Sequence, residues 1–253
     1  MRTSELLRAA GFAHGFFTRV GGVSAPPWDT LSFSVAAGDS AEAVRENRAR
    51  AAHALGVDAA RLYYASQVHG TESLVLAGTE DPDDVVRRVA DITASRTAGV
   101  ACGVRSADCV PILLADPRTG AVVAVHSGWR GTVLRAALAG LDTLESLGAR
   151  RSDVLAAIGP HIEACCFEVG AQVGKDLVAC SSASAPITRR DEALAKVWID
   201  LRSIVRAQLE TAGVAPSAID DVRGCTVHEH GLYHSFRRDG AESGRLLSAI
   251  VAR

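Results

Sequence analysis

The 253-residue chain has few lysines and aromatic residues, one methionine and no long apolar run. Lys175 and Lys196 are the only lysines among 27 basic residues, and the formal net charge is −2. This near balance argues against nucleic acid or an anionic membrane as a partner. No apolar stretch approaches the roughly 18 residues of a membrane span, and the N-terminal segment lacks the apolar core of a signal peptide. We therefore expect a cytoplasmic protein.

The six cysteines include no C-x-x-C pair. They stand at positions 102, 109, 165, 166, 180 and 225. A reducing compartment argues against a disulfide framework, and the missing C-x-x-C spacing argues against a structural site of the zinc-ribbon type. The chemistry of each cysteine therefore depends on its own neighbours.

Residues 106–131 predict an antiparallel hairpin with functional groups at its open end. Two apolar runs, at 110–115 and 121–125, flank the turn-forming residues 116–120. Cys109 precedes the first run and His126 follows the second. A register that pairs them would place their Cβ atoms roughly 4.5–5.5 Å apart on one face, whereas a slip of one residue would put them on opposite faces.

His69 adds a third chemical group to this pair. It ends a predicted strand at 62–69, directly before Gly70. Two imidazoles and one thiolate suit Zn²⁺ with one open coordination position, and Cu²⁺ would also accept such ligands. Two other interpretations remain open: Cys109 and His126 form a nucleophile–base pair, or Cys109 is a buried free cysteine near unrelated histidines.

Arg130 and Phe167 are candidate substrate contacts. Apolar spacing predicts a helix over 132–147, ended by Gly148, with Arg130 at its N-terminus. Helix N–H groups and a guanidinium favour an anion there, such as phosphate or a carboxylate, although a lone arginine also pairs with surface acids. Phe167 would stack on a planar ring, or else form a hydrophobic staple for a predicted helix starting at Glu168.

A second group of polar residues offers a rival metal site. His228, Glu229, His230 and His234 lie within seven residues but include no cysteine. Strand alternation would place His228 and His230 on one face and Glu229 on the other. The hairpin site is therefore favoured.

The predicted architecture is α/β with mixed and antiparallel sheets. Several consecutive strands, including three late ones at 222–227, 232–237 and 246–251, pair more readily as hairpins than as a doubly wound sheet. No repeat or convincing linker divides the chain. One domain over residues 1–253 is expected.

The motifs resemble the YfiH-like, laccase-domain family, also described as polyphenol-oxidase-like, purine nucleoside phosphorylase and peptidoglycan editing factor. The match extends nearly end to end. It rests on TRVGGVS at 18–24, ENR at 46–48, QVHG at 67–70, ADCVP at 107–111, HSGWRG at 126–131, IGP at 158–160, CFEVG at 166–170, CT at 225–226, SFRRD at 235–239 and GR at 244–245. Ser32 stands where the family commonly has asparagine. If that asparagine orders the loop near Arg19, the geometry of the loop or the substrate preference is expected to differ here.

The resemblance implies a zinc site of His69, Cys109 and His126. It also implies a single αββα sandwich shared in outline with cytotoxic-necrotizing-factor-type deamidases, whose Cys–His pair corresponds to Cys109 and His126. The implied activities are phosphorolysis of adenosine, inosine and methylthioadenosine, and deamination of adenosine. Arg130 and Arg19 would bind phosphate, and Phe167 would stack on the base. A monomer acting on a purine nucleoside and phosphate is expected, with oligomers left open.

Three other functions are weighed against this one. A Cys109–His126 pair would hydrolyse an amide in a peptidoglycan precursor without phosphate. Copper-dependent polyphenol oxidation is disfavoured, because multicopper chemistry needs more histidine ligands than one His₂Cys site supplies. A metal-stabilised binding module would lose stability on zinc removal while consuming no substrate.

Overall fold

The computed structural model describes residues 1–253. Its α-helices are α1 (Glu5–Ala9), α2 (Ala41–Leu55), α3 (Pro82–Val85), α4 (Trp129–Val133), α5 (Ala136–Ser146), α6 (Ala171–Ala179), α7 (Leu201–Thr211) and α8 (Phe236–Asp239). Its strands are β1 (His14–Phe16), β2 (Leu62–Tyr63), β3 (Ser73–Val75), β4 (Ile92–Ser95), β5 (Ala101–Ser106), β6 (Val110–Ala115), β7 (Val122–Ser127), β8 (Leu155–Ile158), β9 (Glu168–Gly170), β10 (Ile187–Asp191), β11 (Lys196–Ile199), β12 (Ile219–Asp221) and β13 (Leu246–Val251). None of the helices is both long and apolar enough to cross a bilayer.

The strands form three sheets. The largest has the order β12-β8-β6-β7-β4-β3, the second β1-β13-β5-β2 and the smallest β10-β11-β9. Most neighbours are antiparallel, while β12–β8, β3–β4 and β2–β5 are parallel. The prediction of mixed and antiparallel sheets is confirmed.

The two larger sheets pack face to face between helices. Cys102 and Ile250 of the four-stranded sheet share one buried cluster with Leu113 and Ala124 of the six-stranded sheet. Ala51 of α2 packs with residues on the opposite face of the four-stranded sheet. Helices α5 and α7 cover the opposite face of the six-stranded sheet in a third cluster. This arrangement is the expected αββα sandwich.

Local elements differ from the sequence expectation in four places. The helix predicted to start at Glu168 begins at Ala171 instead, because Glu168–Gly170 form strand β9. Of the predicted strand at 62–69, only Leu62 and Tyr63 form a strand, Ser66 makes an isolated bridge, and His69 lies in a turn with φ of +66°. The predicted helix over 132–147 is divided into α4 and α5, because Arg135 adopts left-handed backbone with φ of +62°. The two strands predicted at 222–227 and 232–237 do not form: residues 222–235 are turns and loops with one isolated bridge at Cys225, and Phe236 and Arg237 begin α8.

The hairpin of β6 and β7 forms, but its register is two residues away from the one predicted. Pro111, not Cys109, is paired with His126. The turn takes in Ala121, because Asp116 accepts hydrogen bonds from the Arg118 amide and the Thr119 hydroxyl and its own amide bonds to the Ala121 carbonyl. Since a shift of two residues preserves the face of the sheet, Cys109 and His126 still converge.

Candidate functional site

Three side chains predicted from the sequence meet at the open end of the hairpin. Cys109 immediately precedes β6, His126 lies in β7, and His69 comes from the turn after β2. The Sγ of Cys109 is 3.7 Å from Nε2 of His69, and the ligand atoms of all three residues lie within 4.8 Å of one another. The rings of His69 and His126 meet edge to face, with centroids 5.0 Å apart.

Asp91 organises both histidines, although sequence analysis assigned it no role. Its fully buried carboxylate accepts hydrogen bonds from the amides of Val68, His69 and Gly70 at 2.9–3.0 Å. It also lies 2.7 Å from Nδ1 of His126. Asp91 thereby fixes the turn that carries His69 and leaves Nε2 of His126 available as a ligand atom.

The electrostatics of the group favour a thiolate. Burial by itself would raise the pKa of the Cys109 thiol, but the charge and hydrogen bonds of His126 and His69 lower that pKa from 9.0 to about 6. Burial would likewise lower the pKa of His126, whereas Cys109 and Asp91 raise it to about 9. A thiolate is the form of cysteine that binds metal ions and attacks electrophiles.

The backbone makes room for these ligand atoms at Gly128. A Cβ at this position would lie 2.6 Å from Cδ2 of His69 and 2.8 Å from Sγ of Cys109. Two imidazoles and a thiolate held this closely, with a carboxylate orienting one imidazole, fit a single metal ion with an open coordination position. The chemistry of the donors suits both zinc and copper.

The three residues line a cavity of about 540 Å³, a volume typical of sites for small organic ligands. Four arginines line it as well: Arg105, Arg130, Arg237 and Arg245. The single carboxylate among the lining residues is Asp108, which is already hydrogen-bonded to the Thr226 hydroxyl and the Arg237 amide. The cavity therefore carries excess positive charge and suits an anionic ligand.

The apolar part of the wall comes from loops and from the first residues of α4, α7 and α8. Ile162, Phe167, Leu201 and Phe236 line the cavity together with Trp129. Phe167 is only 6% exposed, so its ring is held firmly by its surroundings. This wall offers flat apolar surface next to the charged groups.

Two of the three predicted substrate contacts lie at the cavity. Phe167 and Arg130 line it, and the exposed guanidinium of Arg130 stacks on Trp129 at 4.6 Å. Helix α4, however, has only five residues, so its dipole adds little to Arg130. Arg19 is not among the lining residues: its guanidinium bonds to the carbonyls of Asp29 and His230 and to the Asp29 carboxylate.

The loop near Arg19 is ordered around Ser32, where the family commonly has asparagine. Ser32 is fully buried, its hydroxyl accepts from the Arg245 amide, and its carbonyl accepts from the side chain of Asn47. Serine therefore still ties this loop to a segment that reaches the cavity.

The rival group of histidines does not converge. His228 contacts two cysteines, His230 is exposed, and His234 is fully buried. Burial lowers the pKa of His234 to about 4. The predicted strand alternation fails here because this segment is not a strand.

This chain is similar to known proteins over nearly its whole length. A family model described as multi-copper polyphenol oxidoreductase laccase matches residues 13–253. A protein named purine nucleoside phosphorylase from Mycobacterium tuberculosis is 37% identical over 92% of this chain and 89% of its own length. A protein named adenosine deaminase from an unknown prokaryotic organism is 37% identical over 85% of this chain and 84% of its own.

Solved structures agree with the fold. YlmD from Geobacillus stearothermophilus superposes with a TM-score of 0.87 at 33% identity, covering 96% of this chain and 93% of its own. A hypothetical protein YfiH from Bacillus licheniformis gives a TM-score of 0.85 at 27% identity, covering 95% and 92%.

Proposed function

The chain belongs to the laccase-like family that includes YfiH, and on that premise we propose that it is a purine nucleoside phosphorylase that also deaminates adenosine. The observation that carries this proposal is the cavity itself. It combines the His69–Cys109–His126 group, four guanidinium groups and an aromatic wall in a volume suited to a nucleoside with an anion beside it.

Phosphorolysis requires an anion next to the anomeric carbon of the ribose. A phosphate oxygen forms a bond to C1′ as the C1′–N9 bond breaks, and the bonding electron pair leaves with the purine, which takes up a proton. Arg130 and Arg245 would hold the phosphate by charge-assisted hydrogen bonds. Phe167 would stack on the purine and keep water away from the breaking bond.

The three side chains His69, Cys109 and His126 would serve the deamination. His69, Cys109 and His126 would hold a zinc ion, which supplies Lewis-acid chemistry at its open coordination position. Asp91 would keep Nδ1 of His126 protonated and the ring in place. Water replaces the amino group at C6 of adenine, and ammonia leaves.

A second candidate, amide hydrolysis by Cys109, draws on the lowered pKa of that thiol. In this alternative the Cys109 thiolate attacks the amide carbonyl, His126 gives its proton to the leaving amine, and water then hydrolyses the thioester. Phosphate would have no effect, and an alkylating reagent would abolish the activity of metal-free protein.

The proposed function is tested by following hypoxanthine release from inosine by zinc-loaded protein. Release should depend on phosphate and should yield ribose 1-phosphate in equal amount. Cys109→Ala should be inactive, while Cys180→Ala, which alters a cysteine outside the cavity, should retain activity. If neither wild type nor the Cys180→Ala protein releases base, the proposal is wrong.

Arg130→Gln should raise the KM for phosphate by about 10- to 100-fold while leaving the KM for inosine nearly unchanged. The reason is that a hydrogen bond to a charged group contributes roughly 1.5–3 kcal/mol. Steady-state kinetics at varied phosphate concentration measures the effect. Arg87→Gln is the matched control, because Arg87 is exposed and pairs only with Asp84. A change confined to the KM for inosine would contradict the role given to Arg130.

A further inference from the structure

A second cluster of soft ligands lies outside the hairpin site. Cys165, Cys166, Cys225 and His228 bring three thiols and one imidazole within 4.8 Å of one another. The Sγ atoms of Cys165 and Cys225 are 3.7 Å apart, and Sγ of Cys165 is 3.5 Å from Nδ1 of His228. Sγ of Cys166 is 3.3 Å from the other ring nitrogen, Nε2.

The sulfur–sulfur separation and either one of the two sulfur–nitrogen separations match the edges of a zinc tetrahedron, in which His228 would use one of its two ring nitrogens. With Zn–S bonds of about 2.3 Å and Zn–N bonds of about 2.0–2.1 Å, tetrahedral geometry places two sulfurs about 3.8 Å apart and a sulfur and nitrogen about 3.5 Å apart. A disulfide needs its sulfurs at about 2.05 Å. All six cysteines are free thiols. The spacing therefore favours a shared ion over a covalent bond.

Two loops present the four ligands, and the backbone of each is fixed independently of them. The Cys166 amide donates to the Glu163 carbonyl, which forms the turn that carries both adjacent cysteines. In the other loop, the Cys225 amide donates to the Glu229 carboxylate, and the Glu229 amide donates back to the Cys225 carbonyl. Cys225 and His228 are three residues apart in this turn, and both side chains reach the same cluster. Such a spacing is typical of zinc-binding turns.

We propose that Cys165, Cys166, Cys225 and His228 bind a structural zinc ion. This ion would be distinct from the one proposed for His69, Cys109 and His126 in the cavity. Three cysteines and one histidine form a closed ligand set with no open position, which is typical of structural sites. The absence of a C-x-x-C pair does not exclude such a site, because the ligands come from two distant segments that the fold brings together. The proposal stands whether or not the cavity acts on nucleosides.

The ion would join two parts of the cavity wall. Cys166 directly precedes Phe167, and its carbonyl accepts from the Arg237 guanidinium at 3.1 Å. Cys225 directly precedes Thr226, whose hydroxyl donates to Asp108 at 2.6 Å, next to Cys109. Zinc would thus tie the loop of Phe167 to the loop that supports Cys109.

The test counts metal ions and needs no substrate. Protein stripped with a chelator under reducing conditions and reconstituted with Zn²⁺ should hold about two ions per chain. One would lie at the Cys₃His cluster and one at the His₂Cys group in the cavity. Cys165→Ser/His228→Ala should hold about one. His230→Ala, a matched control two residues away and also exposed, should hold about two. Because Cys165 and His228 are exposed, their replacement leaves the core intact.

Cobalt and alkylation assign the second ion to its ligands. In Cys109→Ala, about one Co²⁺ should bind with thiolate charge-transfer absorbance roughly three times that of a single-thiolate site, in proportion to the thiolate count. Zn²⁺ should protect Cys165, Cys166 and Cys225 together from alkylation, as mass spectrometry measures. A metal-free Cys109→Ala protein, or equal alkylation of these cysteines with and without Zn²⁺, would overturn the proposal even if the double variant failed to fold.

Discussion

Gly128→Ala should lower the rate about 100-fold and weaken metal binding in the cavity, although it removes no ligand. The backbone at Gly128, with φ of −71° and ψ of 176°, is accessible to alanine, so the effect is purely steric. The added Cβ would lie 2.6 Å from the His69 ring and 2.8 Å from the Cys109 sulfur. Both ligands must move apart, and a displacement of about 1 Å costs on the order of 100-fold in rate.

Gly131→Ala provides the matched control, because its Cβ would meet nothing closer than 3.5 Å. It lies three residues away, in the short helix α4 that follows Gly128, and should retain activity and its metal ion. Phosphate-dependent base release and the zinc content of both variants test the prediction. A Gly128→Ala protein with wild-type zinc content and rate would show that the ligand cluster tolerates the added carbon and is not the reacting centre.

Asp91→Asn should lower metal affinity and activity by about 10- to 100-fold, the usual cost of losing a group that orients a metal-binding histidine. The substituted side chain would present an NH₂ group where the Asp91 carboxylate accepts hydrogen bonds from three amides and His126. At least one buried donor would lose its partner. Breaking a buried charged interaction of this kind destabilises a protein by about 3–5 kcal/mol.

Asp116→Asn separates the loss of stability from the loss of function. Asp116 is also fully buried and also accepts from an amide and a hydroxyl, but at the turn end of the same hairpin. Denaturant unfolding should show both variants destabilised, while zinc titration and kinetics should show a defect in Asp91→Asn alone. Equal defects in both variants would mean that Asp91 contributes only to folding.

The sequence predicts the sheets and the three convergent residues for a clear physical reason. Apolar runs and turn residues are local signals, so the hairpin at 110–127 and the late strand β13 can be predicted from the order of residues along the chain. The predicted register lies two residues away from the observed one, but Cys109 and His126 still share a face because the side-chain period of a strand is two. The contribution of His69 became apparent only from the chemistry of the donor set and the family motifs.

What the sequence could not predict depends on contacts between distant segments. Asp91 has no distinctive local signal: it is a single acid at the start of an apolar strand, and its four partners come from residues 68–70 and 126. Arg237 and Arg245 lie in the SFRRD and GR motifs, but no local signal places them at one cavity with Arg105. Cys165 and Cys225 are 60 residues apart and share no motif spacing. The break between α4 and α5 arises from the left-handed backbone conformation of Arg135, which the conformational preference of arginine does not predict.

The origin of the cavity wall has a consequence for how the protein can diverge in evolution. Cys109 and His126 lie at the ends of the central strands β6 and β7, and the buried Asp91 fixes both His126 and the turn that carries His69, so a substitution here disturbs all three side chains. Phe167, Phe236 and Arg237 stand on peripheral loops and a short helix, where sequence changes are tolerated best. Selection can therefore exchange one substrate for another by altering the wall while leaving the proposed reacting centre untouched, and relatives with a common fold can come to perform different reactions.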